Sequence, residues 1–208
     1  MTAPREEHGL RKLCVDICSG KGGFSQRFKN QLDWEVVTID IERKFKPTIV
    51  ADVCNLPLRE GLEIDVLLAS PPCERFSIAC PKWPKEGIQK ALEIVGACFE
   101  TVAHYKPKLW LIENPKGRLR WFVGMPKQTI RYSDYDINYP CNKLTDFWGN
   151  IPFPMVKHER PLHSGHFDSG WMKKHAFDRA LPRDASSRAK IPEGVSSAVF
   201  QSVEGLMA

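Results

Sequence analysis

The chain has 208 residues, a net charge of +5 at neutral pH, 42% hydrophobic residues and 26% charged ones, which is enough apolar material for one cored domain and too much for a disordered polyelectrolyte. The pI near 8.8 permits a polyanionic partner without requiring one. The sequence has no run of about 18 apolar residues and no apolar secretory core, and its seven cysteines are odd in number and scattered; this predicts a cytoplasmic chain with no membrane contact and with reduced thiols.

In chain order, the first informative stretch is "VDICSGKGGFSQRF", Val15 to Phe28. A phosphate loop needs Lys followed by Ser or Thr, and here Gly23 is followed by Phe24, Ser25 and Gln26, so the pair never arrives. A G-x-G-x-x-G reading fails too, because Gly20, Gly22 and Gly23 are spaced too tightly. What remains is an apolar strand, a Gly-rich turn and an amphipathic segment, read as a helix from Gly22 to Leu32 with Phe24, Phe28 and Leu32 on its inner stripe. Further apolar runs, "KLCVDIC", "EVVTIDI", "PTIVADV", "IDVLLAS" and "KLWLIEN", are not strictly alternating and read as strands buried on both faces. Between the last two, "GIQKALEIVGACFETVAHY" has helical spacing. The fold class is therefore α/β, a doubly wound, mostly parallel sheet. "RYSDYDINY" and "NKLTDFWGN" read as further strands, Gly149 to Arg183 as an irregular excursion, and the tail as a helix with Pro192 in its first turn. The expected organisation is a main domain over 1–148, a small lobe over 149–185 and a returning helix over 186–208.

In an open parallel sheet, ligands gather at the carboxyl ends of the strands. There lie Asp16 to Gly23, Asp40, Asp52 with Val53, "SPPC" and "ENP". Asp40 stands about twenty residues beyond the glycines, the offset of a ribose-binding carboxylate in dinucleotide folds, although a solvated strand-end aspartate reads the same way. Asp52 suits an amino group of adenine. Pro71 and Pro72 stiffen the loop that presents Cys73, and Glu113 ends a buried strand where an idle carboxylate is costly. A thiol and a carboxyl on neighbouring strand ends can pair nucleophile with acid.

These residues resemble the cytosine C5 DNA methyltransferase family in its small phage or bacterial form. "VDICSGKGGFSQRF" is similar to its D-x-F-[AS]-G-x-G-G motif, "ASPPCERFS" to its P-P-C-x-x-[FS] catalytic motif and "IENPKG" to the E-N-V motif in an E-N-P form. All three occur in family order, and the resemblance runs over about residues 11–150. It implies a Rossmann-like class I methyltransferase that binds S-adenosylmethionine and DNA. Asp16, Ser19, Gly20, Gly22, Gly23 and Pro71 would line the cofactor, Phe24 or Ile41 would pack near adenine, Asp40 would hold the ribose, and Asp52 and Val53 the adenine edge. Cys73 would add to C6 of a flipped-out cytosine, with Glu113 as the acid at N3. Glu74 to Gly87 would close over the base, with Arg75, Lys82 and Lys85 available to phosphates.

The chain departs from the family at several points. The Q-x-R-x-R strand, whose arginines bind the cytosine carbonyl and orient the acid, has no clear copy; Arg131 in "TIRYSDYDINY" is the candidate. "CNKLTDFWGN" is similar to a K-P-T-D-[IL]-W-x-N segment, Leu144 replacing Pro, and its Lys143 would contact the nucleic acid. A large target-recognition domain is missing, its place held by Gly149 to Arg183, expected to be a small basic, aromatic DNA-contacting lobe in which Lys173 and Lys174 would bind the nucleic acid. His158, His163, His166 and His175 there invite a zinc reading, but the nearby thiol Cys141 lies outside the segment and C-x-x-C is absent, so no metal is expected. No obligate protein partner is evident. Two other readings stay open: the same site acting on RNA, another cytosine acceptor or a modified donor, and a catalytically silent nucleic-acid-binding protein, against which Cys73 and Glu113 together argue.

Overall fold

The structure is a computed structural model that describes residues 11–77, 87–136, 139, 143–154 and 190–208. Lys82, Lys85, Lys173, Lys174 and the histidines of the irregular segment lie outside the described residues, as does nearly all of that segment.

Seven strands form one sheet in the order β3-β2-β1-β4-β5-β7-β6. They are β1 (Lys12–Ile17), β2 (Trp34–Asp40), β3 (Ile49–Val50), β4 (Val66–Ala69), β5 (Leu109–Pro115), β6 (Gln128–Arg131) and β7 (Leu144–Gly149). The first five run parallel, and β7 is antiparallel to both β5 and β6. All four residues of β4 are buried, as a strand covered on both faces requires.

Two cores result. On one face Cys14, Val66, Leu68, Leu111, Ile130 and Phe147 pack with Phe24 and Phe28 and with the helix α4 (Glu193–Met207). On the other, Val15, Ile17, Leu67, Ala69, Ile112 and Trp148 pack with α1 (Ile88–Tyr105). Helix α1 buries Ala91, Val95 and Cys98, which lie three and four residues apart and so share one stripe. Helix α4 is also pinned by polar contacts: Ser196 Oγ donates to Phe24 O at 2.7 Å, and Glu204 Oε1 accepts from Lys12 Nζ at 2.8 Å and from Trp34 Nε1 at 3.1 Å. Two short helices, α2 (Arg120–Val123) and α3 (Tyr132–Tyr135), follow β5 and β6.

Three expectations are corrected. Gly22 to Leu32 is not an α-helix but a chain of turns ending in a 3₁₀ turn, Phe28–Asn30, and Leu32 is 96% exposed. Gly20 and Gly22 take φ of +50° and +67°, a left-handed conformation that no right-handed helix contains. A Cβ on Gly23 would lie 2.6 Å from Ile191 O, so tertiary packing against the chain before α4 fixes this loop. "RYSDYDINY" is strand only to Arg131, after which it turns helical, and Pro192 caps α4 from one residue before its first turn. No helix among the described residues is long and apolar enough to cross a membrane.

Candidate active site

The strand order reverses at β1 and β4, where a crevice opens at the carboxyl edge of such a sheet. Ser19 N donates to Ile39 O and Ser70 N to Ile17 O, which ties the loops after β1 and β4 to the neighbouring strand ends. Asp40 ends β2 with both oxygens engaged: Oδ2 accepts from Gly20 N at 2.7 Å and Oδ1 from Glu42 N at 2.8 Å. The carboxylate thus sets the glycine loop against β2. Ile41 follows it and is 62% exposed, whereas Phe24 is 1% exposed and packs edge-on against Phe147. Of the two candidates for an apolar platform, only Ile41 presents a surface; Phe24 belongs to the core. Asp52 caps the next turn, accepting from Cys54 N at 3.0 Å, and that bond holds its carboxyl below the usual range. Val53 is buried beside it.

Four buried polar atoms along this edge have no partner among the described residues: Asp16 Oδ1, Ser19 Oγ, Ser70 Oγ and Asn114 Oδ1. Buried oxygens are normally satisfied, so a cluster at the ends of β1, β4 and β5 marks where a polar ligand would complete the bonding. Burial pushes the Asp16 carboxyl up to about 7, opposed by the hydroxyl of Ser25, which donates to Oδ2 at 2.6 Å. A Cβ on Gly20 would meet nothing within 4 Å, so the loop is open on that side.

The loop after β4 is held from two sides. Asn114 Nδ2 donates to Pro71 O at 3.1 Å, hooking it to β5. Cys73 O accepts from Phe76 N and Ser77 N, Phe76 O accepts from Arg118 N, and Ser77 bridges to Gly117. A Cβ on Gly117 would sit 2.4 Å from Phe76 O, so that seam closes only around glycine. The half-buried Cys73 thiol is pushed up to about 11, first by burial and then by the carboxylate of Glu113, with Lys143 opposing. Glu113 itself is 4% exposed and its carboxyl is raised by burial, with Lys143 and the Tyr132 hydroxyl acting against the rise. Thiol and acid therefore feel each other, and both feel Lys143. Arg75 is exposed on the loop, its guanidinium beside Gly87.

Arg131 does not join Glu113. Glu113 pairs with Phe147, which pairs with Gln128; Arg131 lies three residues further along β6, an odd offset that puts it on the opposite face of the sheet. Its guanidinium lies 3.9 Å from Asp134. The neighbour that Glu113 does have is Tyr132, whose hydroxyl donates to Oε1 at 2.9 Å. Sequence reasoning missed this residue, although the signal was present: counted from Gln128, Tyr132 stands at the fifth position of Q-x-R-x-R, where the family has its second arginine. On the opposite face Arg120 forms a two-pronged ion pair with buried Asp146, which also accepts from Thr129 Oγ1, bracing β7 against β6.

Compared with known proteins, residues 13–120 match the sequence model of the family described as C-5 cytosine-specific DNA methylase. A protein of Frog virus 3 (isolate Goorha), named as a DNA (cytosine-5)-methyltransferase, is 26% identical over 150 residues, 66% of this chain and 70% of that one. Type II methyltransferase M.AquIA of Picosynechococcus sp. is 23% identical over 168 residues, 66% of this chain and 67% of that one. Among solved structures, a prophage-encoded protein of E. coli named as a DNA modification methyltransferase aligns with a TM-score of 0.46 at 16% identity, over 66% of this chain and 46% of that one. A protein of Methanococcus maripaludis named as an S-adenosyl-L-methionine-dependent methyltransferase aligns at 0.34 and 17%, over 51% and 49%. The chain spans about half the length of these two structures.

Proposed function

This chain belongs to the C-5 cytosine-specific DNA methylase family, and from that premise we propose that its cleft transfers a methyl group from S-adenosylmethionine to C5 of a cytosine in DNA, with Cys73 as nucleophile and Glu113 as acid. The covalent adduct at cytosine C6 is general to the family. The observation that carries the reading is the joining of two loops: Asn114 ties Pro71 to the strand of Glu113, and at the neighbouring strand ends the buried Asp16 Oδ1 and Ser19 Oγ have no partner among the described residues.

The residues fit the cofactor. Asp16 Oδ1 and Ser19 Oγ offer acceptors to its charged amino-acid end, Asp40 suits the ribose hydroxyls, Ile41 the face of adenine, and Asp52 with the amide of Val53 its edge; Gly20, Gly22, Gly23 and Pro71 shape the space. When bound, S-adenosylmethionine supplies an electrophilic methyl group. The chain's own residues prepare the base. Glu113, whose carboxyl is raised by burial, would give its proton to N3 as the Cys73 sulfur adds to C6, and the C5 carbon becomes nucleophilic. Tyr132 fixes the carboxyl through Oε1 and leaves Oε2 for the base. After transfer, loss of the C5 proton expels the thiolate. Arg75, with Lys82 and Lys85, would meet phosphates as the base flips.

A duplex carrying 5-fluorocytosine tests this reading, because fluorine cannot leave C5 as a proton does. With cofactor present, a denaturation-resistant protein–DNA adduct is expected; Cys73→Ser should abolish it, since an alcohol offers almost no anion at neutral pH, and Glu113→Gln should slow it while leaving cofactor binding nearly intact. A Cys73→Ser protein that still forms the adduct removes Cys73 as nucleophile. An RNA substrate that traps while DNA does not would change the acceptor.

A further inference from the structure

Lys143 stands immediately before β7, and its ammonium lies 4.7 Å from the centre of the Tyr132 ring. The hydroxyl of that ring is bonded to Glu113, so a cation, an aromatic and the acid form one stack at the end of β5. Lys143 is half-buried, and among the described residues no carboxylate forms an ion pair with it. Held by the electron-rich ring face, its ammonium keeps N–H donors for another acceptor. Its charge reaches both reacting groups, since it opposes the upward push on the Cys73 thiol and on the Glu113 carboxyl. In the reading proposed above, the cytosine ring occupies the space between those two groups.

That space has an electrostatic requirement. When sulfur adds to C6, the S–C6 bond forms, the C5–C6 π pair shifts to C4–C5, and the C4–N3 π pair moves onto N3, which takes the proton of Glu113. N3 is conjugated with the C2 carbonyl, so part of the developing negative charge falls on O2. A cation placed there before reaction stabilises the addition without reorganising. Arg131, on the other face of the sheet, does not supply it.

We propose that Lys143 is a further catalytic residue, its ammonium binding the O2 carbonyl of the cytosine held between Cys73 and Glu113. The proposal rests on the methyltransferase reading above and adds to it a contact to the base where a lysine at the mouth of a DNA site would ordinarily serve a phosphate.

Two measurements on the full chain test it, with Lys143→Met, which keeps the length and loses the charge, and Lys143→Arg, which keeps a donor cation. In the DNA-free protein, iodoacetamide labelling of Cys73, read by mass spectrometry of its peptide between pH 7 and 10, should slow several-fold in Lys143→Met and recover in Lys143→Arg. In single-turnover methylation of duplex DNA, Lys143→Met should lose about 100-fold, the scale of removing one preorganised donor, with duplex affinity and its salt dependence unchanged; Lys143→Arg should retain most of the rate. Unchanged cofactor binding in both variants checks that the fold is intact. A Lys143→Met protein with wild-type single-turnover rate overturns the proposal, and so does one whose defect lies in duplex affinity with a salt slope reduced by about one, the signature of a phosphate contact. A wild-type chain that methylates no cytosine acceptor overturns the functional reading itself, and the O2 contact with it, whatever Lys143→Met does to labelling.

Discussion

Asp16 carries the sharpest consequence at the scale of a residue. Its carboxyl is wholly buried, one oxygen takes the Ser25 hydroxyl and the other has no partner among the described residues. Burial raises it from 3.8 to about 7, so between those values the folded chain holds a proton that the unfolded chain has released. Its contribution is fully present below about pH 4, falls as pH rises through 7, and is constant above. The span amounts to on the order of 4 kcal/mol. Asp16→Asn should therefore gain stability relative to wild type as pH rises from 5 to 8, by roughly 2 to 4 kcal/mol in urea unfolding; a pH-independent difference would mean that Asp16 is ionised throughout. If the orphan oxygen receives the cofactor's ammonium, binding at pH 6 should release a proton, read by calorimetry in buffers of different ionisation enthalpy. Binding without proton release would take Asp16 away from the cofactor's charged end.

At the scale of elements, the seam between the Cys73 loop and the turn after β5 admits only glycine. Gly117→Ala should force a shift against Phe76 O, costing about 1 to 3 kcal/mol and slowing adduct formation at Cys73. Gly96, on α1 with nothing within 4 Å of its would-be Cβ, is the matched control: Gly96→Ala should raise stability by about 0.5 to 1 kcal/mol. Thermal unfolding of the pair decides whether the loss belongs to the seam or to any added methyl. The strands were legible because "VLLA" and its neighbours are apolar on both faces, a signature that needs no tertiary information. The segment after β1 was not, because its apolar spacing mimics a helix while left-handed glycines and a contact with Ile191, some 170 residues away in sequence, decide its course. The placing of Cys73 and Glu113 near neighbouring strand ends was legible from the apolar runs that precede them. Tyr132 was not, because its role depends on β6 ending one residue earlier, and the face of Arg131 became visible only with the β6–β7 register.

Across the whole molecule, the net charge of +5 suits a polyanionic partner. We propose that the stretch over 149–185, most of it outside the described residues, is the small DNA-contacting lobe. Lys173→Ala with Lys174→Ala should then lower duplex affinity and flatten its salt dependence by up to about two units of slope. A slope equal to that of wild type would put the DNA elsewhere, with Arg75 and the loop after Cys73 the next surface to test.

The glycine loop of residues 20–23 leans on the chain just before α4: Ile191 O lies against Gly23, and Ser196 bonds both Phe24 O and Arg27 N. In a chain made from its amino end on the ribosome, β1 and the loop emerge first and then wait through the synthesis of about 170 further residues for the helix that shapes them. The glycine loop is thus assembled late, by a contact of very long sequence separation, and, on the function proposed above, a nascent chain halted anywhere before α4 would carry the glycines, Cys73 and Glu113 and still lack a formed place for the methyl donor.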